Sequence, residues 1–215
     1  MLLNNNYNLI HPQKHEVVTF KSKLLSKEAV DAIKDFKLGR VYEINEKLRG
    51  LKPESLTLAE QEIISQLSLL PQKILSKDTY VYRGVCRKYN FNPFDTLKVG
   101  TIFLEKGFTS LAPLKRVAKL FRHGDGILEK ILLPKGTKVL DIDSLLKRNA
   151  SQLPDDIARI VKRQAKHEWV LMPNSNYKVI DFVKKATYRH WTDLEGKKYQ
   201  IFDGGKGTCE LHYIG

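Results

Sequence analysis

Residues 80–85 read Tyr-Val-Tyr-Arg-Gly-Val, and how this stretch is read decides the fold. Tyr80, Val81 and Tyr82 are strand formers that seek burial, yet a guanidinium and a glycine follow them directly. Two readings are open. Either the strand ends at the surface, with Arg83 solvated and Gly84 opening a turn, or Arg83 reaches for a phosphate while Gly84 lets the backbone press against a ligand. Toward the C-terminus the same texture continues in TIFLEKGFTSL (101–111), GILEKILLP (126–134), TKVLDI (137–142), EWVLMP (168–173), YKVIDFV (177–183), KYQIFD (198–203) and CELHYI (209–214). Two helical inserts interrupt it, at 113–122 and 154–166, each opening near a proline, Pro113 and Pro154.

Toward the N-terminus the periodicity is helical. Ala29, Ile33 and Phe36, then Val41, Ile44 and Leu48, then Ile63, Ile64, Leu67 and Leu70 recur at helical spacing. Ser26 and the Thr57/Glu60 pair are predicted helix starts, and Gly39, Gly50 with Pro53, and Pro71 are predicted stops. No repeat or low-complexity linker divides the chain. The expectation is one α+β domain over 1–215, with a helical N-terminal part (1–78) packed on a β-rich core of mainly antiparallel sheets (79–215).

Composition narrows the function classes. At 215 residues and 42% hydrophobic, the chain can bury one sizeable core. Two cysteines, Cys86 and Cys209, match no disulfide framework or metal spacing, so a reducing, cytosolic compartment and no metal are expected. The first residues, MLLNNNYNLIHPQKHE, predict neither a signal peptide nor a membrane span. A formal charge of +13 favours acidic partners without naming one. The basic residues are spread along the chain with no zinc-finger, RNP or helix-turn-helix signature, so general nucleic-acid binding remains a background reading.

Three features then fall in order at strand ends: Arg83 in YVYRGV, Ser110 in GFTSLA and Glu168 in HEWVLMP. An arginine, a hydroxyl and a carboxylate so placed can converge in one cleft. With its surroundings, this order resembles the mono-ADP-ribosyltransferase exoenzymes of bacterial toxins and their phage-encoded relatives. The resemblance runs over about residues 36–182 through six elements. YEINEKLRG (42–50) is similar to the family's I-N-x-x-L-R helix, and YVYRGV to its aromatic-Arg-Gly strand. GFTSLA is similar to G-aromatic-x-S-T-S, VAKLF (117–121) to A-x-x-F, ILLPKGTKVLDI to strand-P-K-G-strand, and HEWVLMP to x-E-[VIM]-L-L-P. Two departures stand out: Ser110-Leu111-Ala112 keeps only the first hydroxyl of S-T-S, and Lys166-His167-Glu168 replaces the E-x-E or Q-x-E of other members.

The resemblance implies NAD as co-substrate. Glu168 would stabilise the charge developing on ribose as nicotinamide leaves, with Ser110 orienting it. Arg83 would grip the pyrophosphate, and Gly84 would offer main-chain amides to the nicotinamide carboxamide. Asn45 and Arg49, four apart on one helix face, are either cofactor contacts or an exposed face. Phe108 and Arg122 are also expected near the cofactor. Lys166 and His167 would flank the acceptor, where the basic run before Glu168 favours an acidic or phosphate-rich target over arginine; the same run also reads as an ordinary amphipathic helix. The partner would be a macromolecule (a protein, a nucleic acid or a nucleic-acid-bound protein), and the enzyme a monomer acting in a cytosol. An NAD glycohydrolase shares every residue named, and a non-catalytic binding module is the reading that the missing hydroxyls allow. His123, His167 and the GGKG of 204–207 also read as structural, since GGKG lacks the strand-to-helix context of a phosphate loop.

Overall fold

A computed structural model describes residues 24–85, 98–122, 126–155, 157–159, 168–192 and 198–215; along 184–192 and 198–206 it describes the backbone alone. Ser26 caps α1 (Lys27–Asp35) by accepting the Ala29 N–H, and Thr57 with Glu60 forms a reciprocal capping box at the start of α3 (Leu58–Leu69). Gly39 breaks the helix as expected, with a non-helical backbone at the kink between two helices. It sits at φ 104° inside a π-helical turn, Phe36–Arg40, that joins α1 to α2 (Val41–Leu48).

The strands form two sheets. One has the order β1–β6–β7–β4, from β1 (Lys73–Ile74), β6 (Lys138–Asp141), β7 (Trp169–Leu171) and β4 (Thr109–Leu111). The other runs β2–β5–β9–β8–β3, from β2 (Thr79–Val85), β5 (Ile127–Leu133), β9 (Lys198–Tyr213), β8 (Ser175–Thr192) and β3 (Ile102–Glu105). Every ladder is antiparallel except β5 with β9. The fold is thus α+β with mainly antiparallel sheets and a helical N-terminal part. The three C-terminal runs of the sequence become two long strands, because Gly204 and Gly205 lie within β9 beside a register shift instead of ending a strand.

Alternation along β7 fixes the layering. Val170 packs with Ile33, Phe36, Ile44 and Leu67 of the helices, whereas Trp169 and Leu171 pack with Val81, Ile131, Val179 and Leu211 of the larger sheet. The smaller sheet is therefore buried on both faces, as the middle of three layers. Helix α4 (Lys115–Phe121) covers β2 through a small separate cluster of Ala112, Ala118 and Leu128. Helix α5 (Ile142–Arg148) falls where the strand pattern of TKVLDI runs on. The Asp141 side chain accepts the Ser144 N–H and starts a helix whose Ile142, Leu145 and Leu146 enter the helical layer's core.

Candidate active site

Among the described residues one isolated bridge, Tyr82 with Ala112, joins the backbones of the two sheets, with N–H···O bonds of 2.8 and 2.7 Å. Extending that register by two residues would set Gly84 opposite Ser110, yet no ladder joins them among the described residues, so the sheets part there. On its other edge β4 pairs Ser110 with Val170 of β7. Arg83, Ser110 and Glu168 each lie within two residues of these two pairings. Three strand ends that are far apart in sequence therefore meet where the sheets diverge.

Gly84 has a specific packing reason. A Cβ there would lie 2.1 Å from the Ala118 carbonyl oxygen, 2.8 Å from the Arg122 nitrogen and 2.9 Å from the Phe121 carbonyl carbon. The backbone of α4 passes directly over it, and no other residue allows that approach. Arg122 thereby stands beside the end of β2, and its Nε is buried with no hydrogen-bond partner among the described residues.

Three side chains of the segment 37–49 then tie the strand ends together. Lys37, Val41, Asn45 and Arg49 follow at intervals of four. Lys37 Nζ donates to Glu168 Oε2 at 2.5 Å and lies 3.1 Å from Asp143 Oδ1. Asn45 clamps the Phe108 backbone, donating to its carbonyl at 3.1 Å and accepting its N–H at 2.7 Å. Arg49 grips Glu105 with a fork, Nε to Oε1 at 2.8 Å and Nη2 to Oε2 at 3.0 Å. Asn45 and Arg49 are buried, so their face is not the exposed one that the sequence left open. The Phe108 ring lies in the core, edge-on to Phe36 at 5.6 Å between centroids. What Phe108 brings to the cleft is its clamped backbone.

Arg83 is largely buried. Its Nη1 lies 3.4 Å from Glu105 Oε2 and 3.6 Å from Glu129 Oε2. Burial opposes its charge, but Glu129 and Glu105 outweigh that and hold its pKa above the ordinary value. Burial likewise favours a neutral Glu105, and Arg83 with Arg49 overrides it to keep the carboxyl below its usual range. Lys37 follows the same logic: burial lowers it, the attraction and hydrogen bond of Glu168, joined by Asp143, raise it more, and the ammonium stays above its ordinary value.

Glu168 is fixed at its backbone as well. Its N–H donates to Asp143 Oδ2 at 2.8 Å, and its carbonyl accepts the Ile142 N–H at 3.1 Å. Among the described residues the hydrogen bond to its carboxylate comes from Lys37, not from Ser110. Lys166, His167 and His123 lie outside the described residues, as does most of the insert predicted at 154–166.

Sequence reasoning passed over Lys37, Asp143, Glu105 and Glu129. Lys37 did leave a signal, since it falls seven residues after Val30 and four after Ile33, a core-facing position where a charge needs a partner.

The family model described as ADP-ribosyltransferase exoenzyme matches residues 13–203. A comparison with curated proteins finds no match. Several solved structures share the fold. Vis, from Vibrio splendidus, in complex with agmatine is 17% identical with a TM-score of 0.55, over 90% of this chain and 77% of that one. C3stau2 from S. aureus with NAD is 19% identical with a TM-score of 0.54, over 88% of each chain. Exoenzyme S from Pseudomonas aeruginosa, in complex with human 14-3-3 protein beta and bound to carba-NAD, is 13% identical with a TM-score of 0.53, over 88% of this chain and 74% of that one.

Proposed function

The chain belongs to the ADP-ribosyltransferase exoenzyme family, and on that premise we propose that it is an NAD-dependent mono-ADP-ribosyltransferase that breaks the nicotinamide–ribose bond and transfers ADP-ribose to a macromolecule of a target cell. The observation that carries the reading is the meeting of Arg83, Ser110 and Glu168 beside the two pairings, Tyr82–Ala112 and Ser110–Val170, where the sheets part.

The residues suit NAD. Arg49 and Arg83 converge on one carboxylate, so two guanidinium groups are gathered where a pyrophosphate would need donors. That C3stau2 was solved with NAD and exoenzyme S with carba-NAD supports the same co-substrate. Bound NAD supplies an electrophilic ribose carbon with nicotinamide as its leaving group. The chain does the rest. Gly84 presents the open edge of β2 to the nicotinamide, and Asn45 keeps the Phe108 main chain and the following Ser110 in register with β7. Glu168, paired with Lys37, stabilises the positive charge that grows on the ribose and accepts a hydrogen bond from its hydroxyl. An acceptor heteroatom forms the new bond as nicotinamide departs with the electron pair, and the acceptor's proton passes to solvent.

On the acceptor side we assign Lys166 and His167. A lysine two residues before Glu168 repels a guanidinium, so the acceptor is an acidic or phosphate-rich macromolecule, a protein or a nucleic acid, and not an arginine. The enzyme acts as a monomer in a cytosol, as a toxin or a phage-borne modifier. Incubation with labelled NAD and a cell lysate, with and without nuclease, tests all of this by mass spectrometry of the labelled species. Label on a macromolecule with nicotinamide released supports the transferase, and release without label makes the protein a glycohydrolase. No release leaves a binding module, and label chiefly on arginine side chains overturns the acceptor assignment.

A further inference from the structure

Beyond the residues that the reaction needs, an ammonium stands beside the carboxylate proposed to carry it. Lys37 enters from the π-helical turn between α1 and α2, with its side chain only 10% exposed. A lysine so desolvated is costly unless fully partnered, and Asp143, 2% exposed and 3.1 Å away, would partner it alone. Yet Lys37 also reaches Glu168, whose side chain is 22% exposed, at 2.5 Å. Asp143 holds Glu168 from a second direction by accepting its N–H at 2.8 Å. Lysine, aspartate and glutamate therefore form a closed triangle in which the carboxylate is tied at backbone and side chain.

Resting on the function proposed above, we propose that Lys37, anchored by Asp143, is the positioning residue of Glu168: it occupies Oε2 and leaves Oε1 to the ribose hydroxyl. Stabilising a growing positive charge requires a carboxylate that is ionised and already aimed. A single ammonium would secure both while cancelling the charge that the site must offer. Asp143 restores it, since one cation and two carboxylates leave the triangle with a net negative charge. Lys37 precedes the Gly39 kink and Asn45 and Arg49 follow it, so the ammonium at Glu168 and the clamps on Phe108 and Glu105 come from two successive helical segments.

The test compares Lys37→Met and Lys37→Arg with the unaltered chain in steady-state nicotinamide release. Lys37→Met should lower kcat at least about ten-fold with KM for NAD within about three-fold, since aim and not binding is lost. Lys37→Arg, which keeps the charge, should return kcat to within about three-fold. Unchanged kcat in Lys37→Met, a loss carried wholly by KM, or a Lys37→Arg variant as impaired as Lys37→Met would overturn the proposal. Should Lys37→Met not fold, Lys37→Arg decides alone: folded with near-normal kcat it supports the role, and folded with a loss beyond about ten-fold it overturns it. A cycle of melting temperatures over Lys37→Met, Glu168→Gln and the double variant reads the pairing without any activity: non-additive shifts are expected, and additive ones overturn it. If the unaltered chain released no nicotinamide, the proposed function would fail while that cycle still reported on the pairing.

Discussion

At the start of β7 one ammonium, Lys37, lies between two carboxylates, Glu168 and Asp143. At the ends of β2 and β3 two guanidinium groups, Arg83 and Arg49, share Glu105, with Glu129 on the far side of Arg83. The two clusters have opposite polarity and the same plan. In each, the group proposed to meet NAD is held by a counter-ion of the other sign: Glu168 by Lys37, the arginines by Glu105. The comparison teaches that reach and charge are separable. A carboxylate or guanidinium at a cleft needs a partner that holds it in place, and in both clusters that partner comes from another element of the chain.

The plan breaks hardest at Glu105, because one anion serves two cations. Glu105→Ala should cost about 3–5 kcal/mol by leaving both guanidinium groups with less compensation, a fall of about 10 °C in melting temperature for a chain of this size. Asp143→Asn should cost less, since Glu168 still balances Lys37. Equal losses in calorimetry would show that the clusters are not organised around a shared anion. Next in size is Glu168→Gln, which keeps the shape and removes the charge. NAD cleavage should fall at least about 100-fold, roughly 2.7 kcal/mol of barrier, with the fold retained because Asp143 continues to hold Lys37. Near-normal turnover in a folded variant would detach the carboxylate from the chemistry.

The Arg83 position offers a smaller and more selective test. Arg83→Lys keeps one positive charge near Glu105 and Glu129 but loses the fork, so NAD affinity by titration calorimetry should weaken by about 1–3 kcal/mol. Unchanged affinity would mean that Arg83 serves only its two carboxylates.

The sequence displays the half of each cluster proposed to meet NAD and hides the holding half. Arg83, Ser110 and Glu168 stand in local patterns, on strands bounded by glycine or proline, that a motif can record. Lys37, Asp143, Glu105 and Glu129 owe their roles to distance in space. Lys37 meets a carboxylate 131 residues away, and Arg49 one 56 residues away. The elements themselves were legible where the signal was local, as at the Ser26 and Thr57 caps. They were not where a tertiary or side-chain term overrode it. Asp141 caps an unpredicted helix, α5, directly after the predicted strand, and a register shift accompanies the run of β9 through two glycines. Gly84 illustrates both cases. Its motif carries the family resemblance, while the structure adds a packing reason that a side chain is excluded there, the backbone of α4.

Opposite polarity also predicts that the clusters yield at opposite ends of the pH scale. Glu105 has its pKa lowered in the folded protein, since Arg83 and Arg49 outweigh the burial that would raise it. Its contribution to stability is therefore present above the ordinary carboxyl value and lost as pH falls through the folded one. Lys37 is raised, because Glu168 and Asp143 outweigh a burial that would lower it. Its contribution is complete below the ordinary lysine value and lost as pH rises through the folded one. Melting temperatures across pH should thus show the gap between the unaltered chain and Glu105→Gln narrowing in acid, and the gap to Lys37→Met narrowing in strong alkali. Neither gap should move near neutrality, where both ion pairs are fully formed. These are the smallest of the expected shifts, because each window exposes the titration of one group while the rest of the core is unchanged. Gaps that narrow at the same end would contradict the opposed polarity. A Lys37→Met gap that stays constant into alkali would show that the ammonium gains nothing from Glu168 and Asp143, and that the triangle at β7 is a packing contact instead of an ionic one.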